Sequence, residues 1–154
     1  MTPLRRLQGI TYWVIEDSDE IRDFINTNIR KEWESDLRSV GRDPREDPWL
    51  QTLYRRRWRL EVVEADRIAL NPDITNYEDP RKGYSFQASL AKRREELRSV
   101  IDTYGVVIWP VIVKEEDMLL ADGYCRLSTL QEMGISQVYA YLGSLVAPDQ
   151  AQLG

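Results

Sequence analysis

The junction at residues 122–126, Asp-Gly-Tyr-Cys-Arg, constrains the fold of this chain most strongly. It follows residues 118–121, a short apolar run typical of a strand. A helix is predicted directly after it, with apolar side chains at positions 127, 130 and 133 and a closing glycine at 134. A glycine turn between a strand and a helix gathers unpaired N–H groups and the positive end of the helix dipole. Arg126 adds a forked cation, so the sequence predicts an anion site, with phosphate as the expected ligand.

Strands and helices are predicted on both sides of this junction. Residues 106–113 are mostly β-branched and predict a buried strand, and residues 138–141 predict another. Residues 10–15 and 60–68 also have strand character, whereas residues 73–84 are rich in Asp, Asn and Pro and predict a loop. Apolar residues spaced by three or four predict a helix from the Asp17–Ser18 cap to Gly41 and another from Ser85 to Gly105. Residues 48–54 predict a short helix with proline at its start.

Together these elements predict an α+β (α/β) domain with a small mixed sheet and flanking helices. We expect residues 1–57 to form a largely helical extension, because fewer than about 60 residues rarely build a core of their own. Residues 58–145 are expected to form the domain that carries the anion site and on which this extension packs. Residues 146–154 show no pattern and are predicted to be a frayed tail.

Composition removes several functional classes. The chain has no histidine, which takes away the commonest general base and the commonest transition-metal ligand and leaves magnesium as the metal to consider. A single cysteine permits no intramolecular disulfide, so a reducing cytoplasm is the expected compartment. No apolar run approaches the roughly 18 residues of a membrane span, and the first residues lack an apolar signal segment.

The charge pattern argues against nucleic acid as the partner. The formal net charge of −5 disfavours broad nucleic-acid affinity, so DNA binding is not expected. The one basic cluster is Arg-Arg-Arg-Trp-Arg at residues 55–59. This cluster could bind phosphate or nucleic acid, with Trp58 between the arginines, or it could be the end of a helix followed by a strand with an inward and an outward face. The alternation of Trp58 and Leu60 with charged residues favours the strand.

From about residue 60 to residue 142 the chain resembles the ParB/sulfiredoxin superfamily, which includes proteins labelled ParB-like nucleases. The resemblance rests on four features in order, all readable in the sequence. They are a strand and turn at residues 62–72, a helix ending in glycine at 85–105, the strand Trp-Pro-Val-Ile-Val at 109–113, and the Asp-Gly-x-x-Arg helix start at 122–126 with Leu-Ser-Thr-Leu and Met-Gly-Ile behind it. This covers a little over half of the chain.

The resemblance implies a loop that holds nucleotide phosphate. It is closest in character to the free-serine kinases, whose motif is Asp-Gly-His-His-Arg and which also place a Trp before the proline of the preceding strand. The implied ligands are ATP or ADP, with CTP as an open alternative, and Mg²⁺ held by Asp122; the implied acceptor is a small hydroxylated metabolite. The implied nucleotide-binding residues are Pro110, Gly123, Tyr124, Cys125 and Arg126.

The implied catalytic carboxylates are Asp122, Asp73 and Glu78, because those kinases take a base from a glutamate just after the turn that follows their first strand. In this chain Tyr124 and Cys125 stand where the kinases have histidines. Phosphoryl transfer depends mainly on positioning and charge neutralisation, so carboxylates and Arg126 suffice in principle without histidine.

Other functions remain open at this stage. A non-catalytic nucleotide-binding module of the ParB type is the main alternative, followed by a nuclease that would need clustered carboxylates around metal ions. A sulfiredoxin is disfavoured, because its reactive cysteine stands two residues before the arginine, where this chain has Tyr124. Asp122 could simply shape the turn, Arg126 could pair with a neighbouring carboxylate, and Tyr124 could belong to the core. A homodimer is also left open.

Overall fold

A computed structural model of the chain describes residues 3–145. The strands are β1 Leu4–Leu7, β2 Ile10–Trp13, β3 Arg57–Glu64, β4 Glu78–Asp79, β5 Tyr84–Ser85, β6 Val111–Lys114, β7 Leu119–Asp122 and β8 Gln137–Ser144. The α-helices are α1 Ser18–Phe24, α2 Arg30–Ser39, α3 Pro48–Leu53, α4 Pro72–Thr75, α5 Phe86–Tyr104 and α6 Tyr124–Glu132. A π-helical segment, Ile25–Ile29, joins α1 to α2, and short 3₁₀ turns lie at Pro44–Glu46, Ala65–Arg67 and Pro80–Lys82.

The centre of the fold is a four-stranded mixed sheet in the order β3-β8-β6-β7. Strand β8 pairs antiparallel with β3 and parallel with β6, and β6 pairs antiparallel with β7. The parallel pair needs a crossover, which α6 supplies between β7 and β8. The predicted α+β class with a small mixed sheet is therefore confirmed.

Apolar side chains cover both faces of this sheet, because successive residues of a strand point to opposite sides. In β6, Val111 and Val113 join one buried cluster, and Ile112 between them joins the other. The first cluster packs against α5, α6 and the β1–β2 hairpin and includes Ile101, Leu127, Leu130, Ile10 and Tyr12. The second packs against the N-terminal helices and includes Ile21, Ile25, Trp33, Leu50, Leu53, Trp58 and Tyr141. Each such side chain contributes about 1.5–3 kcal/mol of burial free energy.

The N-terminal helix is predicted correctly from the Asp17 cap to the region of Gly41, but it contains a π-helical turn that the sequence analysis missed. Its inward residues are Ile21, Ile25, Ile29, Trp33 and Leu37, at a strict spacing of four. In a regular α-helix, side chains four residues apart differ in direction by about 40° around the axis, so this stripe would rotate by about 160° over its length. The π turn at Ile25–Ile29 takes up an extra residue and cancels about 100° of this drift. The stripe therefore stays on the sheet along the whole helix.

The predicted strand at residues 106–113 is only partly correct, because strand β6 begins at Val111. Pro110 precedes it and has no N–H to give to a ladder. Upstream of the proline the chain turns to the N-terminal hairpin, where Trp13 N donates to Ile108 O at 3.0 Å and Ile108 N donates to Thr11 O at 3.0 Å. The strand predicted at residues 10–15 is present as β2, and its partner β1 was not predicted.

Two further predictions need correction. The strand predicted to continue to residue 68 ends at Glu64 in a 3₁₀ turn, and its start at Arg57 agrees with the strand interpretation of residues 55–59. The loop predicted at residues 73–84 contains α4 and the small β4–β5 hairpin, which are too short to produce a periodic pattern. The tail predicted at residues 146–154 lies outside the described residues. No helix within residues 3–145 combines the length and apolar character that a membrane crossing requires.

The basic cluster at residues 55–59 is largely committed to internal contacts. Arg56 has a side chain only 2% exposed and donates to both carboxylate oxygens of Glu116, at 2.6 and 2.8 Å, and to Gly143 O at 2.9 Å. Trp58 is fully buried, and Arg59 pairs with Glu61 and Glu115. These contacts match the strand interpretation, and they leave Arg55 and Arg57 as the exposed arginines of the cluster.

Candidate functional site

The turn between β7 and α6 has a backbone conformation that only glycine adopts readily. Gly123 is the N-cap of α6 with φ +104°, and it offers no side-chain oxygen to the first turn of the helix. A Cβ at this position would lie 2.7 Å from Val111 Cγ1 and 2.9 Å from Arg126 Nη2. Without a capping side chain, the first-turn N–H groups remain available to an acceptor from outside.

The Arg126 guanidinium folds back onto this turn. Its Nη2 donates to Asp122 Oδ2 at 3.1 Å and to Pro110 O at 3.3 Å. Its Nε is buried and has no hydrogen-bond partner among the described residues. The structure thus brings Pro110, Asp122, Gly123 and Arg126 together as the sequence predicts. It also shows that Arg126 is paired with Asp122, a carboxylate of its own loop.

Two further carboxylates face the turn from helix α2. Partial burial raises the pKa of Glu32, and the neighbouring Asp122 carboxylate raises it further, whereas Arg126 lowers it. Burial also raises the pKa of Asp36, with Asp122 adding to the effect and Arg93 opposing it. Both side chains keep exposed surface, so they are open to a ligand.

Sequence reasoning missed Glu32 and Asp36 as site residues. They lie some 90 residues from Asp122 in the chain and look like the solvated face of an amphipathic helix. Their spacing of four residues, which places both on one side of α2, is the only signal that the sequence offers.

Aromatic rings line the other side of the turn. Trp109 stacks on Phe24 with ring centroids 4.5 Å apart and an interplanar angle of 28°, and it contacts Trp13 at 5.4 Å. Pro110, the next residue, supplies the carbonyl that accepts from Arg126. The N-terminal helix and hairpin therefore pack against the segment just before β6, which contains Pro110, the residue whose carbonyl accepts a hydrogen bond from Arg126.

Tyr124 points into the protein. Its hydroxyl donates to Leu120 O at 3.1 Å and accepts from Asn71 N at 3.2 Å, and its ring meets Phe86 edge to face at 5.6 Å. Burial raises the pKa of Tyr124, so it stays protonated and keeps both hydrogen bonds at neutral pH. Cys125 is half-buried, and its carbonyl accepts a hydrogen bond from Thr129 Oγ1 at 2.7 Å.

The other two predicted catalytic residues, Asp73 and Glu78, are exposed side chains on separate short elements. Asp73 is exposed on α4, whose N-cap Asn71 is tied to Tyr124, and Glu78 is exposed on β4. The carboxylates that the electrostatics couple to Asp122 are Glu32 and Asp36. Within residues 3–145 no three His, Cys, Asp or Glu side chains are arranged to hold a metal ion by themselves.

Comparison with known proteins gives a likeness of fold. No family model and no curated protein matches the chain. Two solved structures of a pNOB8-like ParB N-domain share 19% identity with it; the matches have TM-scores of 0.41 and 0.39 and cover 57% and 61% of this chain. The chain spans only 30% and 31% of those two structures.

A sulfiredoxin from Arabidopsis thaliana matches at 18% identity with a TM-score of 0.39, covering 55% of this chain and 86% of the sulfiredoxin. The three structures come from the superfamily that the sequence resembles, and each matches only part of this chain. At these identities the likeness carries no residue role and no activity.

Proposed function

We propose that this protein is a phosphotransferase that binds ATP or ADP and acts on a small hydroxylated metabolite such as an amino acid. The phosphate tail would lie at the first turn of α6, held by its free N–H groups and by Arg126. The observation that supports this most is the uncapped helix start at Gly123 beside a guanidinium with a buried, unpartnered Nε. A buried donor without a partner costs about 1–3 kcal/mol, so a ligand oxygen would be favoured there.

Binding would exchange the partners of one ion pair. Arg126 would leave Asp122 Oδ2, now 3.1 Å away, for a phosphate oxygen. Without a cation, the freed Asp122 carboxylate and the nearby Glu32 and Asp36 carboxylates would repel the negatively charged phosphate tail. Magnesium that arrives with the nucleotide needs only one or two protein carboxylates, which Asp122 and its neighbours offer, and it would neutralise phosphate charge there.

The transfer itself needs a proton acceptor. The acceptor hydroxyl would form a bond to the terminal phosphorus as the bond from that phosphorus to its bridging oxygen breaks, and the hydroxyl proton would pass to a carboxylate. The superfamily resemblance suggests Asp73 or Glu78 for this role. Glu32 is a further candidate, because partial burial and the Asp122 carboxylate raise its pKa and so favour its taking up a proton.

A nucleotide-binding regulatory module without turnover is the second candidate. It is favoured by the Asp122–Arg126 pair, because a pair that closes the turn in the free protein gives two states that a nucleotide can shift. This candidate shares the nucleotide site with the first and differs only in the absence of transfer.

The nucleotide site is tested by calorimetry and thermal shift with ATP, ADP, CTP and GTP, each with and without Mg²⁺. Ligand at about 100 times its Kd stabilises the protein by about 2.7 kcal/mol. Arg126→Ala should abolish the shift, whereas the control Arg98→Ala, which removes a guanidinium paired with Glu132 on another surface, should retain it. No shift with any nucleotide in the wild type would refute both candidates.

Asp122→Asn tests the exchange of partners. If Asp122 competes with phosphate for Arg126, the variant should bind metal-free nucleotide on the order of tenfold more tightly, the value of one charge-assisted hydrogen bond. It should also lose most of the Mg²⁺ dependence. Phosphorus NMR with serine, threonine and polyols then separates an enzyme from a module, and Glu32→Gln should suppress transfer without suppressing nucleotide binding.

A further inference from the structure

The hydroxyl of Tyr124 connects two parts of the chain that the sequence treats as separate. One part is strand β7 together with the turn and first helical residues of α6; the other is the segment 69–77, which carries α4 and Asp73. Tyr124 belongs to the first part by chain position and by its bond to Leu120 O, and it reaches the second through Asn71 N. The Tyr124 hydroxyl therefore donates a hydrogen bond to the first part, at Leu120 O, and accepts one from the second, from Asn71 N.

The segment 69–77 has few other attachments to the sheet. Ala69 N donates to Met118 O and Leu120 N donates to Ala69 O, both at 2.8 Å, which fixes the start of the segment on β7. Its far end is held by α5, where Gln87 Nε2 donates to Thr75 O at 2.9 Å and Phe86 N donates to Tyr77 O at 3.0 Å. Between these ends, Asn71 caps α4 with its side chain and is itself held by the Tyr124 hydroxyl.

We propose that Tyr124 is a positioning residue which couples the nucleotide turn to the α4 segment, so that ligand binding at α6 orders the segment that carries Asp73. This rests on the nucleotide site proposed above and assigns to the Tyr124 side chain a role other than contact with the ligand. Because the hydroxyl is held on both sides and the ring is packed against Phe86, movement of the first turn of α6 is transmitted to Asn71.

Amide hydrogen exchange tests the coupling. In the wild type, saturating Mg-ATP should slow exchange in residues 123–127 and also in residues 71–77. Tyr124→Phe keeps the ring and the helix start but removes the hydroxyl. It should make residues 71–77 exchange about five-fold faster, the change expected from one lost hydrogen bond, and Mg-ATP should then slow exchange only in residues 123–127.

Gln87→Met is the matched control, because it also removes one hydrogen bond from the α4 segment, but one that leads to α5. It should speed exchange in residues 71–77 while leaving their response to Mg-ATP intact. If residues 71–77 respond equally in Tyr124→Phe and in the wild type, or do not respond in the wild type although residues 123–127 do, the coupling is refuted. If residues 123–127 do not respond to any nucleotide in the wild type, the nucleotide site itself fails.

A kinetic readout separates positioning from a general structural role. If transfer is observed, Tyr124→Phe should raise KM for the acceptor or lower kcat, with KM for the nucleotide changed less than about twofold. An equal loss in nucleotide affinity would assign the hydroxyl to the nucleotide and overturn the proposal.

Discussion

Replacement of Gly123 by alanine tests how tightly the turn before α6 is built. The backbone at this position has φ +104°, a region that costs an L-residue about 1–2 kcal/mol. The added Cβ would also lie 2.7 Å from Val111 Cγ1 and 3.1 Å from Val111 Cβ. Val111 is 2% exposed in the core, so it has little room to move, and such overpacking typically costs about 1–3 kcal/mol. We therefore expect Gly123→Ala to destabilise the fold by about 2–5 kcal/mol.

Gly134→Ala is the matched control for backbone strain. Gly134 follows the same helix at its other end with φ +81°, and a Cβ there would meet nothing within 4 Å. This variant should lose only about 1–2 kcal/mol, the cost of the left-handed conformation. Urea unfolding followed by far-UV circular dichroism measures both values. Equal losses at the two positions would show that the predicted collision with Val111 is relieved, and the argument for a rigid turn would be wrong.

Two predictions concern the ion pairs around the basic cluster at residues 55–59. Glu116→Gln leaves the buried Arg56 guanidinium without its carboxylate and should cost about 2–3 kcal/mol in urea unfolding. Asp117→Asn, at a carboxylate whose side chain is 51% exposed, should cost less than about 1 kcal/mol; similar losses would contradict this. The Arg59 hydrogen bond lowers the pKa of Glu115 from 4.5 to about 2, so its stabilisation is present above pH 4.5 and fades as the pH falls toward 2. Because the Glu115 side chain is 37% exposed, the free energy of unfolding of Glu115→Gln should be less than about 1 kcal/mol below that of the wild type at pH 6. The difference should be smaller at pH 3, and a difference that grows on acidification would show that Arg59 is not the cause of the lowered pKa.

The parts of the fold that were predictable from sequence are those that local patterns specify. The Asp17 and Ser85 caps, the glycine that opens α6 and the alternation around Trp58 all act within a few residues of the chain, and the structure has each of them. The start of β6 was missed because an apolar run hides the effect of Pro110, which cannot donate to a ladder.

The candidate site was only half predictable for a different reason. Asp122, Gly123 and Arg126 are close in the chain, so their mutual contacts follow from one turn of helix. Glu32 and Asp36 reach the same place only because the N-terminal helix packs on the sheet, and no local pattern encodes that docking. Whether Asp73 and Glu78 act in catalysis stays a prediction.

The π turn at Ile25–Ile29 sets the rotational phase of everything that follows it in the helix. If the chain kept its length but ran through this segment as a regular α-helix, its later side chains would point about 100° away from their present direction. Trp33 would leave the sheet, and Glu32 and Asp36 would turn from Asp122 in the same movement. The π turn is therefore constrained twice over, by the packing of the Trp33 indole and by the placement of two charges, and neither can be adjusted without the other.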